Sequence, residues 1–424
     1  MVKIKVYGNQ KVEGVIPISG AKNAALPLMA ASILSNNGLK LKNVPPLLDV
    51  DNMLCLLENL GVICQVDQEN TFANSISLKT DAIYNFLAPY DMVKKMRASI
   101  LVLGSLLARY GRCKVSLPGG CAIGVRPIDL HLKGMEALGA KVELRDGYIC
   151  ASTDKGLRGV EYKFPIVTVT GTENIMMAAT LAEGTTVLKN SAQEPEVVDL
   201  ANCLNKMGAK ISGQGTKVIS IKGVSDLHWT EHNVLPDRIE AGSYMIAAGI
   251  TKGCIDLQGG NFRELLPAFI EKMKQVGLTF CDIDGGIRVQ TTGALEPACI
   301  NTAPHPGFPT DLQAQTMAML CIVNGESYIT ENIWENRFMH AAELARMGAD
   351  ITLTGHTARI RGVPLLHGAP VMSTDLRASF SLLLAALAAK GESIVDRVYH
   401  LERGYCCIVE KLARCGVVID KIKH

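Results

Sequence analysis

The sequence predicts an α/β fold assembled from six copies of one unit of about 70 residues, and three observations predict it. First, an apolar residue and a glycine close an amphipathic segment six times. The pairs are Leu60-Gly61, Leu138-Gly139, Met207-Gly208, Val276-Gly277, Met347-Gly348 and Cys415-Gly416, and they fill the whole chain. Glycine there suits the position just past a helix, where a left-handed backbone ends it. Second, small and almost continuously apolar segments lie between these marks, as in Ile175 to Leu181 and Ser379 to Ala388. A helix that is apolar on every side is buried on every side. Third, alternating runs such as Gly184-Thr185-Thr186-Val187-Leu188 and Gly391-Glu392-Ser393-Ile394-Val395 follow the apolar helices. Period-two alternation is the mark of a half-buried strand.

Taken in order, Met1-Val2-Lys3-Ile4-Lys5-Val6-Tyr7-Gly8 alternates as a strand and lacks the layout of a secretory signal. The buried helices open at Ala21-Lys22-Asn23, Met96-Arg97-Ala98, Glu173-Asn174-Ile175, Asp237-Arg238-Ile239, Asp311-Leu312-Gln313 and Leu376-Arg377-Ala378. Each unit therefore holds one buried and one amphipathic helix, interleaved with short strands. Periodicity leaves two assemblies open, a solenoid or two globules of three units each. No long Pro/Gly/Ser linker decides between them.

Composition excludes several functions. Lys+Arg is 43 against Asp+Glu 41, so bulk charge does not grip nucleic acid. Aromatic residues are 5%, too few for base-stacking platforms. The longest apolar run, Phe380 to Ala389, is about half of the ~20 residues a membrane span needs. Thirteen cysteines without CxxC spacing or a signal fit a reducing cytoplasm better than a disulfide scaffold. No nucleotide-binding glycine motif is present, and the nine histidines show no metal-ligand spacing, so neither cofactor nor metal is expected. His131 and His340, on amphipathic helices, read as hydrogen-bonded structural histidines.

Helix N-termini attract anions through free N–H groups and the dipole. Four buried-helix starts also carry a cation: Lys22, Arg97, Arg238 and Arg377. A salt bridge to a neighbour such as Asp237 or Asp375 explains any one of them. Four together point to a small, strongly anionic substrate. The loop Ser116-Leu117-Pro118-Gly119-Gly120-Cys121-Ala122-Ile123-Gly124-Val125-Arg126-Pro127 sets one cysteine and one arginine among three glycines. Such a cysteine suits a nucleophile or proton donor. Asp311 ends the Pro-rich stretch Pro304-His305-Pro306-Gly307-Phe308-Pro309-Thr310, and two readings stay open for it: an N-cap and a general base. Asp375 has the same two readings, with the cap ahead.

Several of these stretches resemble one family. They are Ser19-Gly20-Ala21-Lys22-Asn23-Ala24-Ala25-Leu26-Pro27, the Cys121 loop, Thr302 to Gln315, Glu335-Asn336-Arg337-Phe338-Met339-His340, Thr374 to Ser379, and His400-Leu401-Glu402-Arg403-Gly404-Tyr405. The family is that of the bacterial UDP-N-acetylglucosamine-dependent enolpyruvyl transferases, and the resemblance runs the full length. It implies a two-domain inside-out α/β barrel with three repeats per domain. The implied domains are 22–235, and 1–21 with 236–424, with the active site in the cleft between them. The implied reaction moves the enolpyruvyl group of phosphoenolpyruvate to the 3′-hydroxyl of UDP-N-acetylglucosamine, in peptidoglycan synthesis, and releases phosphate.

By the same resemblance, Lys22, Asn23, Arg126, Arg337, Arg377 and Arg403 bind phosphoenolpyruvate. Arg97, Arg126, Pro127, Ile128, Asp129, Leu130, Thr168, Val169, Asp311 and Ile333 meet UDP-N-acetylglucosamine. Cys121 is the implied proton donor, the site of a covalent phospholactoyl adduct and the target of fosfomycin. Asp311 is the implied base, and Lys22 and Arg403 complete the catalytic set. Bidentate arginines suit a substrate with a phosphate and a carboxylate on one carbon. The chain departs from the family at Ile166, Thr170 and Trp334, which bears on uridine binding. Two alternatives remain: a 5-enolpyruvylshikimate-3-phosphate synthase-like transferase, and an inactive UDP-sugar sensor on the same scaffold.

Overall fold

The computed structural model describes residues 2–118, 128–291 and 293–423. Residues 119–127, among them Cys121, Arg126 and Pro127, lie outside the described residues.

The repeat is a strand, a buried helix, a strand, an amphipathic helix and a hairpin. One copy runs through strand Cys299–Asn301, helix Gln313–Leu320, strand Glu326–Thr330, helix His340–Arg346, and the hairpin of Asp350–Thr354 and Thr357–Arg361. The first two strands pair in parallel. Parallel neighbours need a crossover, and the buried helix is that crossover. The hairpin's second strand pairs antiparallel with Glu326–Thr330 and carries its own partner outside it. All six sheets are four-stranded with this order.

The six marker glycines behave as their sequence places predict. Their φ angles are +114° at Gly61, +95° at Gly139, +103° at Gly208, +113° at Gly277, +93° at Gly348 and +80° at Gly416. A Cβ added at Gly416 would touch nothing within 4 Å. Gly416→Ala should therefore cost only backbone strain, about 1–2 kcal/mol. Thermal unfolding should show a lower midpoint with unchanged turnover, and an unmoved midpoint would refute the strain.

By contacts, the chain divides into two compact units. Among the described residues, one comprises those up to Ser19 and from Pro236 onward, and the other those from Gly20 to Leu235. Among the described residues the chain passes between them twice, each time between a first strand and the helix that follows it in sequence. Glu13–Pro17 precedes helix Lys22–Ala31 but pairs with Cys254–Gln258, which follows helix Arg238–Thr251. Glu231–Asn233 precedes helix Arg238–Thr251 but pairs with Leu39–Val44, which follows helix Lys22–Ala31. The first strands of two repeats are thus exchanged. The N-terminal strand Val2–Tyr7 sits between Glu392–Asp396 and Ile419–Lys423, closing the last repeat.

In each unit three buried helices pack together, and the sheets lie outside them. In the Gly20–Leu235 unit the helices are Lys22–Ala31, Val102–Tyr110 and Val169–Ala179. Gly104 permits their close approach, since a Cβ there would lie 2.3 Å from the Asn174 carbonyl oxygen. In the other unit they are Arg238–Thr251, Gln313–Leu320 and Leu376–Ala388. There Phe380 packs between Tyr244 and Tyr405, with ring centroids 5.5 and 4.4 Å away. The layered α/β arrangement expected from the sequence is thus present, with the helices inside. Among the described residues, no helix is long and apolar enough to cross a membrane.

Candidate active site

In the unit containing both chain ends, the site grows from Asp311. Thr310–Leu312 forms one turn of 3₁₀ helix in front of Gln313–Leu320, and neither element has a side-chain cap. The N-cap reading of Asp311 is therefore wrong. Its carboxylate turns instead to two guanidiniums. Oδ1 accepts from Arg337 Nη2 at 2.8 Å, and Oδ2 accepts from Arg377 Nε and Nη2 at 3.1 and 2.9 Å. Burial pushes this carboxyl up, but Arg377 and Arg337 outweigh burial and hold it well below the ordinary carboxylate range.

Each arginine is aimed by its own support. Asp375 is a true cap: its Oδ1 accepts from the backbone N–H groups of Arg377 and Ala378 at 2.9 and 3.0 Å, fixing the start of helix Leu376–Ala388. The Tyr405 ring lies 5.4 Å from the Arg377 guanidinium carbon, within cation–π reach. The Tyr405 hydroxyl accepts from Gln315 Nε2 at 2.9 Å, and that nitrogen also donates to the Asp311 carbonyl. Arg337 Nη1 donates to Thr310 Oγ1 at 3.3 Å.

Glu331, which sequence reasoning missed, ties this side of the site together. It is 1% exposed and accepts from Thr302 Oγ1, Thr310 Oγ1 and the backbone N–H groups of Ile333 and Trp334. It thereby fixes Ile333 and the residue before Asp311. A lone glutamate after a strand carries no local signal of that role. Arg403 is half-buried at the end of helix Tyr399–Glu402. Burial, then the Arg403 charge, push the neighbouring His400 imidazole down. His340 departs from its expected part: it is 1% exposed, yet neither ring nitrogen has a hydrogen-bond partner among the described residues.

The Gly20–Leu235 unit holds the second set. Lys22 opens helix Lys22–Ala31, and its Nζ reaches Asp49 Oδ2 at 3.2 Å, both groups being buried. The ion-pair explanation thus holds for Lys22 and Arg377, but with Asp49 and Asp311 as partners rather than Asp237 or Asp375. Asn23 is exposed beside Lys22.

His131 is the hub for the expected UDP-N-acetylglucosamine residues. It lies on helix Asp129–Ala137, just after Ile128, Asp129 and Leu130. Its Nδ1 faces Asn174 Nδ2 at 3.0 Å and its Nε2 faces Thr170 Oγ1 at 3.4 Å. Asn174 Nδ2 also donates to the Ile100 carbonyl, one short turn after Arg97. Burial and the Arg97 charge push His131 down to about 4. Thr168 caps helix Val169–Ala179 by accepting from the Gly171 N–H. The Arg97, Asp129 and Thr168 segments are therefore gathered around one neutral imidazole. Ile166, 58% exposed, points to solvent beside them.

Known proteins share this organisation. The family model for EPSP synthase (3-phosphoshikimate 1-carboxyvinyltransferase) matches residues 6–412. The UDP-N-acetylglucosamine 1-carboxyvinyltransferase of Magnetococcus marinus is 53% identical over 423 residues, spanning 100% of both chains. That of Dinoroseobacter shibae is 54% identical over 425 residues, again spanning 100% of both. Among solved structures, the enolpyruvyl transferase NikO from Streptomyces tendae superposes with a TM-score of 0.90 at 22% identity, covering 100% of this chain and 99% of the other. EPSP synthase from Acinetobacter baumannii gives 0.76 at 19% identity, covering 100% of both. The structural likenesses establish the enolpyruvyl transferase fold. The full-length identities go further: this chain belongs to the family of UDP-N-acetylglucosamine 1-carboxyvinyltransferases.

Proposed function

We propose that the protein transfers the enolpyruvyl group of phosphoenolpyruvate to the 3′-hydroxyl of UDP-N-acetylglucosamine and releases phosphate, the first committed step of peptidoglycan synthesis. The observation that carries this reading is the identity above 50% along the entire chain with enzymes named for that transfer. The Asp311–Arg337–Arg377 cluster supplies the charges such a reaction uses.

The reaction is an addition followed by an elimination. The sugar 3′-oxygen bonds to C2 of phosphoenolpyruvate, its proton passes to Asp311, and C3 receives a proton from the Cys121 thiol. The resulting tetrahedral ketal then returns a C3 proton to the Cys121 thiolate as the C2–O bond to phosphate breaks, leaving the enol ether and phosphate. On this reading Lys22, Asn23, Arg126, Arg337, Arg377 and Arg403 hold the phosphate and carboxylate of the donor. Arg97, Arg126, Pro127, Ile128, Asp129, Leu130, Thr168, Val169 and Ile333 hold the UDP-sugar.

Asp311 is a weak base while two guanidiniums clamp it. A donor carrying two anionic groups competes for those arginines, and as they turn to it the carboxylate regains basicity. Substrate binding would thereby switch on the base. Arginine charge also stabilises the anionic transition state.

Phosphate release from phosphoenolpyruvate tests the reading, with UDP-N-acetylglucosamine or shikimate-3-phosphate as acceptor. Release should need the UDP-sugar and should fall by about 10²–10⁴-fold in Cys121→Ala. Fosfomycin should add its mass to Cys121 in the wild type and leave that variant unmodified. Release with shikimate-3-phosphate alone, or with neither acceptor, would overturn the assignment.

A further inference from the structure

His340 is the one buried histidine on this side of the site whose nitrogens are both unpartnered among the described residues. Such groups are rare because a buried polar atom without a hydrogen bond loses its hydration and gains nothing. Ser373 Oγ and Thr374 Oγ1, on the segment leading to Asp375, are also buried and unpartnered among the described residues. The backbone brings that segment alongside the helix that His340 opens. Helix His340–Arg346 lies along strand Pro370–Met372: Glu343 Oε2 accepts from the Met372 N–H at 2.9 Å, and Arg346 Nη2 donates to the Pro370 carbonyl at 3.0 Å. His340 thus faces the segment that ends at Asp375, and it follows Arg337 by three residues.

The charged groups acting on His340 are Asp375 and Arg337, while burial keeps the ring neutral. A neutral imidazole has one donor and one acceptor. Those match the two neighbours: a carboxylate that accepts and a guanidinium that donates. Asp375 Oδ1 is occupied by the two backbone N–H groups it caps, and Arg337 is turned to Asp311 and Thr310.

We propose that His340 is a positioning residue for Arg337: when substrate anions draw that guanidinium off Asp311, one ring nitrogen accepts a hydrogen bond from it and the other donates to Asp375. The arginine is then held in its substrate-binding orientation, and Asp311 is left able to take a proton. This rests on the transfer reaction proposed above, because only an anionic donor would pull the clamp apart. It also gives a physical reason for a polar ring where phenylalanine would pack without unpaired nitrogens.

The test compares His340→Phe with His340→Gln and His340→Asn, whose amides keep one donor and one acceptor. Thermal midpoints, kcat, and KM for each substrate are measured on the full chain. The phenylalanine variant should fold with an equal or higher midpoint. Its kcat should fall by about ten- to a hundredfold, the range a misplaced catalytic group produces. KM for phosphoenolpyruvate should rise while KM for UDP-N-acetylglucosamine holds, and at least one amide variant should recover to within about threefold of wild type. Wild-type kinetics in the phenylalanine variant would overturn the proposal, as would amide variants no better than phenylalanine. Should the phenylalanine variant not fold, the wild-type ring provides the answer. Its ¹⁵N shifts should move when phosphoenolpyruvate and UDP-N-acetylglucosamine saturate the enzyme, and shifts that stay put would overturn the proposal. A wild-type enzyme that releases no phosphate would instead sink the reaction assignment.

Discussion

Replacing Asp311 with asparagine should lower kcat by about 10²–10⁴-fold, the usual worth of a general base. Asparagine keeps the shape and one acceptor oxygen but cannot take the sugar proton. It also removes the negative charge between Arg337 and Arg377, 2.8 and 2.9 Å away. The freed guanidiniums should then bind phosphoenolpyruvate at least as tightly as in the wild type. A purely structural role for Asp311 predicts the opposite, with binding and turnover failing together. The measurement is steady-state kinetics with both substrates varied, and a kcat within threefold of wild type would remove Asp311 from the mechanism.

The same carboxylate makes a pH prediction. Its folded-state pKa lies well below its unfolded value. A depressed acid adds stability above the unfolded pKa, near 4, and loses it as pH falls toward the folded value. The stability gap between wild type and Asp311→Asn should therefore narrow as pH drops below about 4, and urea unfolding at neutral and acid pH reads it directly.

The second large effect is on stability. Lys411→Met should destabilise the protein by about 3–5 kcal/mol, because it strands a buried carboxylate. Lys411 Nζ donates to Glu240 Oε1 at 2.6 Å and to Ser19 Oγ at 2.8 Å, with the Lys411 and Glu240 side chains 0% and 2% exposed. Glu240 Oε2 accepts from the Ser19 N–H at 2.8 Å, and the Ser19 carbonyl accepts from the Asp237 N–H. The trio fastens Ser19, the residue just before the chain first passes from one unit to the other.

Burial pushes the Glu240 carboxyl up even with Lys411 pulling it down. In Lys411→Met the downward pull is gone. A raised folded pKa means that the folded state binds the proton more tightly, so stability falls as pH rises through that value. The variant should regain stability as pH falls from neutral toward the ordinary carboxylate range, near 4. The double variant Lys411→Met with Glu240→Gln should recover most of the loss at every pH. A single variant as stable as wild type would show that the pair is dispensable.

The sequence was most readable where structure is local. Six glycines after amphipathic helices all took positive φ, because ending a helix with a left-handed residue is decided within a few positions. Continuously apolar helices proved buried, and Asp375 proved a cap, for equally local reasons. The Asp311 carboxylate misled the local reading, because its partners stand 26 and 66 residues away. Glu331, Asp49 and the Ser19–Glu240–Lys411 trio had no signature at all, since each is defined by residues distant in sequence.

By itself, then, the sequence determined the repeating unit, the buried helices and the candidate charges at helix starts, including Lys22, Arg97, Asp311 and Arg377, while Arg337 was marked only by the family resemblance. Periodicity, capping and composition act over one or two helical turns, and these features need nothing more. Tertiary structure alone decided which first strand joins which sheet, since Glu13–Pro17 pairs with Cys254–Gln258 across more than 230 residues of chain. It also decided that Asp311 lies clamped between two guanidiniums and that His340 is buried without a hydrogen-bond partner among the described residues. Strand partners and ion pairs are chosen by proximity after folding, and burial, which sets their strength, is a property of the whole packed unit.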